Sequence, residues 1–388
     1  MSKTKKRKIS VVVTARPSYS RIKTVLKAIN EHPELELQLI VAASALLDRY
    51  GSAVNYIEKD GFEILSKVFM VLEGENLTSM AKTTGLGLLE LSTAFDNLKP
   101  DIVLTVADRF ETIATAIAAS FMNIPVAHVQ GGEVTGNIDE RVRHSVSKLS
   151  DIHFVSTQRS LERLIQMGED KDKVFLTGCP SIDIANEVLE DNTLSFDPFE
   201  RYPGVGTKID ISDGYLVVMQ HPVTTEYSES QKQVEKTLEA VHKTGLPALW
   251  FWPNVDAGSD GTSKGIRVFR EKVKDSKVYF FKNMEPLDFL KVVKNSKCLI
   301  GNSSAGIREC SYLGVPVVNI GSRQVGRERG KNVIDVDYNI DEISSAILTQ
   351  LSHGPYESEK IYGDGDAGGK IADLLTEVPL SINKIITY

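Results

Sequence analysis

The chain has 388 residues, 41% of them apolar and 25% charged, with a formal net charge of −7. That length suffices for two domains of ordinary size, each with its own core, and the composition is that of a folded globular protein rather than a disordered or membrane one. The acidic balance gives no electrostatic reason to expect nucleic acid as a partner; a small anionic ligand stays open, because local arginines and helix N-termini hold phosphate inside acidic proteins.

The basic start MSKTKKRK precedes the apolar run ISVVVTA, which is broken at Arg16-Pro17. The run is shorter than most secretory signals and far short of a membrane span, so a solvated tip before the first strand and a cytoplasmic chain are expected, with no membrane partner. Cys179, Cys298 and Cys310 lack CxxC spacing and read as structural cysteines of a reduced compartment rather than as metal ligands or nucleophiles.

Short β-branched runs then alternate with helix-length amphipathic stretches: ISVVVTA before SRIKTVLKAINEH, LQLIVAA, DIVLTVA before FETIATAIAASFMN, IPVAHVQ before DERVRHSVSKLS, DIHFVST before RSLERLIQMG, and VFLTGCP. Such an order predicts parallel strands with crossover helices in an open, doubly wound sheet. The polar, Pro- and Gly-bearing stretch DNTLSFDPFERYPGVGTKIDISDG precedes a second series, YLVVMQHP, PALWFWPN, KVYFFKN, CLIGNSS and VPVVNIG. The expected fold class is α/β, two Rossmann-like domains with parallel sheets and a cleft between them. The expected boundaries are 1–188 for the first domain, 189–365 for the second, and 366–388 for a C-terminal helix packing back on the first.

Ligands of such sheets sit beyond the carboxyl ends of the strands, so the segments after each strand carry the chemistry. In TARPSYSR, Ser18, Ser20 and Arg16 surround a helix start after Pro17, which serves equally as a capping turn or as an anion site. Asp108 and Arg109 follow the third strand, where an Asp N-cap with a surface Arg is the plain alternative. HVQGGEVTGNIDERVRH combines Gly131 and Gly132, which permit close backbone approach, with Glu133, Asp139 and Glu140. A helix start accounts for one or two acids. A third in the loop, with Asp108 from the neighbouring strand end, suggests acid–base chemistry, since crowding and burial separate carboxyl pKa values into a donor and an acceptor. His128, His144 and His153 read as packing neighbours.

In the second half His221 follows YLVVMQ and donates either to a diphosphate or to a turn. Asn254 and Asp256 sit in the Gly/Ser loop WPNVDAGSDG. GNSSAGIRE offers Ser303 and Ser304 at a helix start as a phosphate cradle, with Glu309 placed to take two ribose hydroxyls, as acids do in dinucleotide folds. Arg323, Arg327 and Arg329 occupy GSRQVGRERGKN, either a solvated loop or a phosphate clamp.

Together TARPSYS, ADRFET, HVQGGEVTGNIDERVRHSVSKLSDIHF, TGCPSID, HPVTTEY, WPNVDAGSDG, GNSSAGIREC and GSRQVGRERGKNV resemble, in order and over nearly the whole chain, the UDP-N-acetylglucosamine 2-epimerase family. The resemblance implies glycosyltransferase-B architecture with the active site in the interdomain cleft, the nucleotide on the C-terminal half and the sugar facing the N-terminal half. Within the family the chain resembles the hydrolysing branch: non-hydrolysing members show HVEAGLRTG where this chain reads HVQGGEVTG, so one acid is lost at Gln130 and another gained at Glu133.

The implied reaction is UDP-N-acetylglucosamine plus water giving N-acetylmannosamine and UDP through 2-acetamidoglucal, the first step of sialic-acid biosynthesis, with no cofactor and no metal. The implied catalytic groups are Asp108, Glu133 and Asp139, with Glu140 in reserve and His221 beside the departing diphosphate. Arg16, Ser20, Arg109, Asn254 and Arg323 would line diphosphate and sugar, Ser303 and Ser304 the phosphate, Glu309 the ribose, and Phe281 the uracil. A homodimer or homotetramer is implied. The rivals are a UDP-2,4-diacetamido-2,4,6-trideoxyglucose substrate, as in legionaminic-acid biosynthesis, a glycosyltransferase of the same architecture, and a nucleotide-sugar-binding regulator without catalysis.

Overall fold

The computed structural model describes residues 5–387 apart from 75, 107–108, 136–137, 254–257 and 275. It divides into two compact units, each built on a seven-stranded sheet. No helix among the described residues is long and apolar enough to cross a membrane.

The first unit takes in the described residues of 1–134, 138–183 and 362–388. Its strands are β1 (Arg7–Val13), β2 (Leu35–Ala42), β3 (Ile64–Val68), β4 (Ile102–Val106), β5 (Val126–Val129), β6 (Ile152–Val155) and β7 (Val174–Leu176). They lie in the order β3-β2-β1-β4-β5-β6-β7, with parallel pairing throughout. The helices are α1 (Arg16–Ser20), α2 (Lys23–Glu31), α3 (Ala53–Lys59), α4 (Leu77–Leu98), α5 (Thr112–Phe121), α6 (Ile138–Leu149), α7 (Gln158–Gln166) and α8 (Pro180–Glu190), the last spanning the boundary with the second unit.

Strands covered on both faces read as continuous apolar runs, and all of IVLTV in β4 is buried. Successive side chains point to opposite faces, which divides the core: Val11 and Val13 of β1 join Tyr19, Ile22 and Leu26 on one side, while Val12 joins Leu91, Phe95, Ala114 and Val146 on the other. The long α4 starts at a capping box, Asn76 accepting from the Ser79 N–H while the Ser79 hydroxyl accepts from the Asn76 N–H, which satisfies two otherwise orphaned donors.

The second unit takes in the described residues of 135–137 and 184–361. Its helices are α9 (Pro198–Arg201), α10 (Ser230–Lys243), α11 (Ser259–Lys272), α12 (Pro286–Lys294), α13 (Ser304–Ile307), α14 (Glu309–Leu313) and α15 (Ile340–His353). Strands β8 (Gly204–Val205), β9 (Leu216–Met219), β10 (Ala248–Phe251), β11 (Val278–Phe281), β12 (Cys298–Gly301), β13 (Val317–Ile320) and β14 (Val333–Val336) form the order β14-β13-β12-β9-β10-β11-β8. Pairing is parallel except for the short edge strand β8, which runs against β11.

The last helix, α16 (Ala367–Glu377), belongs to the first unit. Its Ile371 and Leu375 enter the same core as Val25 and Leu26 of α2. Asp183 fixes its start, accepting from the Ala367 and Gly368 N–H groups at 2.9 and 2.8 Å and from the Thr24 hydroxyl at 2.8 Å.

Beyond α16 the chain crosses the first unit once more and delivers Lys384 to a buried ionic cluster. Lys384 and Lys148 approach the two oxygens of Glu169 at 2.5 and 2.7 Å, and His153 Nε2 lies 2.9 Å from the same carboxylate. Burial by itself would raise the Glu169 carboxyl, but hydrogen bonds from His153, Lys148 and Lys384 outweigh it and hold the group at about 2. Burial pushes the His153 imidazole down, against its bond to Glu169. Both groups have folded pKa values below their ordinary ones, so the unfolded chain binds more protons as the pH falls and stability is lost. The loss starts below the ordinary 6.5 of His153 and continues from the ordinary 4.5 of Glu169 down to about 2. The denaturant midpoint is therefore expected to fall steadily from about pH 7 to about pH 3. Glu169→Gln, which strips buried cations of their counter-charge, is expected to cost about 3 kcal/mol at neutral pH and make the decline shallower; a midpoint independent of pH over that range contradicts this account.

Candidate active site

Strand order reverses between β1 and β4 in the first sheet and between β9 and β12 in the second. Where neighbouring strands send their chains to opposite sides, a crevice opens beyond their carboxyl ends. Arg16 and Ser20 follow β1, Arg109 follows β4, His221 follows β9, and Ser303 and Ser304 follow β12. Asp108, expected to act with them, and Asn254 lie outside the described residues.

In the first unit Arg16 opens α1, and its burial lowers the guanidinium to about 10 while the Tyr56 phenol opposes the shift. Arg16 therefore remains a cation at neutral pH. The Ser20 hydroxyl donates back to the Pro17 carbonyl at 3.1 Å. Arg109 is held by Glu111, Nε to Oε1 at 3.0 Å. Glu111 is itself buried, and its other oxygen has no hydrogen-bond partner among the described residues. In ADRFET this orienting acid stands two residues after the arginine, a spacing that by itself does not signal the pair.

The loop after β5 is seated by its backbone. Gln130 adopts φ 68° and Gly132 φ 75°, a left-handed conformation easy for glycine and strained for glutamine. Gln130 is anchored at both ends, its N–H donating to the Phe154 carbonyl at 2.9 Å and its side-chain amide to the buried Cys179 thiol at 2.8 Å. A Cβ on Gly131 would come within 3.0 Å of both His128 Nδ1 and Ser147 Oγ, and one on Gly132 would collide with the Ser160 carbonyl. Arg163 donates to the Gly132 carbonyl. Glu133 follows directly and is buried, at 4% exposure.

Arg143, also buried, joins this loop to the first turn of α6: Nη1 donates to the Glu133 carbonyl at 3.0 Å and to Glu140 Oε2 at 3.3 Å. The other oxygen of Glu140 lies 2.9 Å from His144 Nε2. With both oxygens engaged, Glu140 holds Arg143 and His144 in place. Its place is a half-buried first turn shared with Asp139.

In the second unit Asn302, fully buried, is the hub. Its side-chain oxygen accepts from the His221 N–H and its amide donates to the His221 carbonyl, both at 2.8 Å, so the loops after β9 and β12 are locked together. Its own carbonyl accepts from Arg323 Nη1 at 3.2 Å and from the Gln324 amide at 2.8 Å. The Ser303 hydroxyl caps α13 by accepting from the Ala305 N–H at 3.3 Å, and Ser304 opens that turn. Glu309 opens α14, is buried, and keeps Oε2 without a hydrogen-bond partner among the described residues.

One expectation is corrected. The Phe281 ring has no exposure and packs against Phe251, Phe199 and Tyr279 at centroid distances of 5.8, 5.9 and 4.8 Å, so it is core and presents no face to a base. Arg329 pairs with Asp335 at 2.7 Å and donates to the carbonyls of Gln324 and Arg327, and so shapes the loop that carries Arg323. All three cysteines are buried thiols outside any disulfide.

With this geometry in hand, comparison with known proteins is decisive at the family level. Residues 27–376 match the family model described as UDP-N-acetylglucosamine 2-epimerase. A UDP-N,N'-diacetylbacillosamine 2-epimerase (hydrolyzing) from Legionella pneumophila is 35% identical over 98% of this chain and 100% of its own. A UDP-N-acetylglucosamine 2-epimerase from Neisseria meningitidis is 31% identical over 93% of this chain and 92% of its own. In fold, the chain is similar to the Methanocaldococcus jannaschii UDP-GlcNAc 2-epimerase crystallised with UDP-GlcNAc and UDP, with a TM-score of 0.79 at 20% identity over 96% of this chain and 100% of that one. The two Rossmann-like units are thus those of the glycosyltransferase-B fold class, and the chain belongs to the UDP-N-acetylglucosamine 2-epimerase family.

Proposed function

We propose that the chain is a hydrolysing 2-epimerase that converts a UDP-linked 2-acetamido sugar and water into the free 2-epimeric sugar and UDP. The observation that carries this reading is the buried Glu133 at the end of a glycine-rich loop fixed on three sides, by Cys179, by Ser147 with His128, and by Arg163. A carboxylate so placed is held still, in hydrogen-bond reach of a sugar bound beyond the strand ends.

The C2 hydrogen of a sugar is a poor acid until positive charge develops at C1. As the C1–O bond to UDP lengthens, that hydrogen becomes removable; a first-unit carboxylate takes it, the C–H electron pair becomes the C1=C2 double bond of a glycal, and UDP leaves. Water then adds its oxygen to C1, and a proton is delivered to C2 from the opposite face, which inverts that centre. Asp108, Glu133 and Asp139 are the proposed acid–base groups. The leaving diphosphate needs cations and N–H donors fixed in advance. Arg16 stays charged through its burial, Arg323 is held on the Asn302 carbonyl, and His221 is locked to the same asparagine. Ser303 and Ser304 at the start of α13 complete the proposed phosphate contacts. The partnerless oxygen of Glu309 suits a ribose hydroxyl pair.

UDP-N-acetylglucosamine, giving N-acetylmannosamine, is the first substrate proposed, supported by the family description and the Neisseria relative. A second reading is favoured by the Legionella relative, whose name specifies UDP-N,N'-diacetylbacillosamine. The chemistry at C1 and C2 is common to both sugars.

Incubation with each nucleotide sugar, followed by NMR of the products, is expected to yield UDP and a free manno-configured sugar from one of them; transfer to an acceptor, or binding without UDP release, overturns the reading. Glu133→Gln is expected to lower kcat by roughly a hundred- to ten-thousand-fold with UDP affinity within about threefold of the parent. Glu309→Gln is expected to act the other way, weakening UDP by about tenfold through a lost charge-assisted hydrogen bond; unchanged UDP affinity removes Glu309 from the nucleotide site.

A further inference from the structure

The ionic cluster built around Glu169 reaches the candidate active-site loop through Ser147. On one side, the Lys384 ammonium donates to the Ser147 carbonyl at 3.0 Å, to the Ser150 carbonyl and to Glu169. Ser147 is in the last turn of α6 and Ser150 directly follows it, where a helix leaves acceptors without intrahelical donors and where its dipole favours a cation. On the other side, the Ser147 hydroxyl lies 3.2 Å from His128 Nδ1, and a methyl group on Gly131 would lie 3.0 Å from both atoms, tighter than an ordinary van der Waals contact. His128 and His153 are register partners on β5 and β6. The other end of α6 carries Asp139 and Glu140 in its first turn.

The return segment is fixed at a second point, since Thr387 N donates to the Gly168 carbonyl at 3.0 Å and its hydroxyl to the Glu169 carbonyl at 3.1 Å. Arg7 further holds the end of α16, donating to the Leu375 and Val378 carbonyls. A segment that served only to fill surface would not need to bring an ammonium group to 25% exposure onto a buried carboxylate.

We propose that Lys384 is a positioning residue for catalysis: by capping α6 and fixing Ser147, it seats the Gly131–Gly132 backbone and so aligns Glu133. Lys384 touches no reacting group. It acts across one helix turn, and it rests on the reading of Glu133 as an acid–base group. Because a displacement of about 1 Å at a reacting group costs up to a hundredfold in rate, loss of this seat should appear in turnover and leave nucleotide binding, whose proposed contacts lie outside the Gly131–Gly132 loop, as it was.

The test is Lys384→Met in the full chain, with Lys384→Arg as the conservative partner and the parent measured beside them on the nucleotide sugar that it turns over. The expected result is kcat lowered about ten- to a hundredfold in Lys384→Met, with KM and the Kd for UDP within about twofold, and kcat restored to within about threefold in Lys384→Arg. A role confined to stability would lower Tm and leave kcat unmoved at a temperature where the variant is folded, and that outcome overturns the proposal. Should Lys384→Met not fold, Ser147→Ala decides alone: it keeps the carbonyl that Lys384 caps and removes the hydroxyl that bears on His128 and Gly131, so a comparable kcat loss supports the proposal and parental kcat overturns it. A parent that releases no UDP from any nucleotide sugar overturns the functional reading itself, which distinguishes the two failures.

Discussion

The close seating of the Gly131–Gly132 backbone against α6 and α7 is the contact on which the rest of the candidate site depends. A Cβ at Gly132 would collide with the Ser160 carbonyl and one at Gly131 would crowd His128 and Ser147 at 3.0 Å, so the loop is located by close van der Waals packing and by the Arg163 hydrogen bond to Gly132. Glu133 inherits that location, and Arg143 extends it to the start of α6 through one guanidinium shared by the Glu133 carbonyl and Glu140. A buried arginine between a backbone acceptor and a carboxylate is costly to break and geometrically exact in direction, which suits a loop whose carboxylate must meet one hydrogen of a sugar. The strain at Gln130 points the same way: a left-handed glutamine persists because two hydrogen bonds hold it and the surrounding packing over-determines it.

In the second unit the proposed diphosphate contacts are fixed by similar means. A departing diphosphate is stabilised only by donors and charges already in place, and Asn302 would supply the fixation. One side chain closes the gap between the two loops at the switch point, and one carbonyl gathers Arg323 and Gln324. Arg329, spent on Asp335 and two carbonyls, keeps the next loop in shape. The division of labour among these arginines follows from chemistry: the planar, multidentate guanidinium serves equally as an internal brace and as an anion receptor.

The strand-and-helix alternation was legible because parallel strands covered on both faces leave continuous β-branched runs, and the candidate segments were chosen from it because ligands gather beyond strand ends. Glu140 was readable in part: an acid with Arg143 three and His144 four residues on is the spacing of a helical ion-pair face. Phe281 was not, since VYFF is apolar on both faces and no periodicity says which ring meets a ligand. Asn302 stood inside the quoted GNSS but gave no signal that its amide would bridge to His221, 81 residues away. Least legible was the Glu169 cluster, whose Lys384 comes from 215 residues later in the chain; contacts of that range leave no local pattern.

The central claim is that a carboxylate of the first unit removes the C2 hydrogen while UDP departs and that a proton returns to the other face. The most direct measurement is turnover in D2O with NMR of the released sugar. The account predicts a single solvent deuterium at C2 in a manno-configured product, with one UDP released per sugar. A product that keeps its original hydrogen at C2, or that retains the gluco configuration, contradicts it.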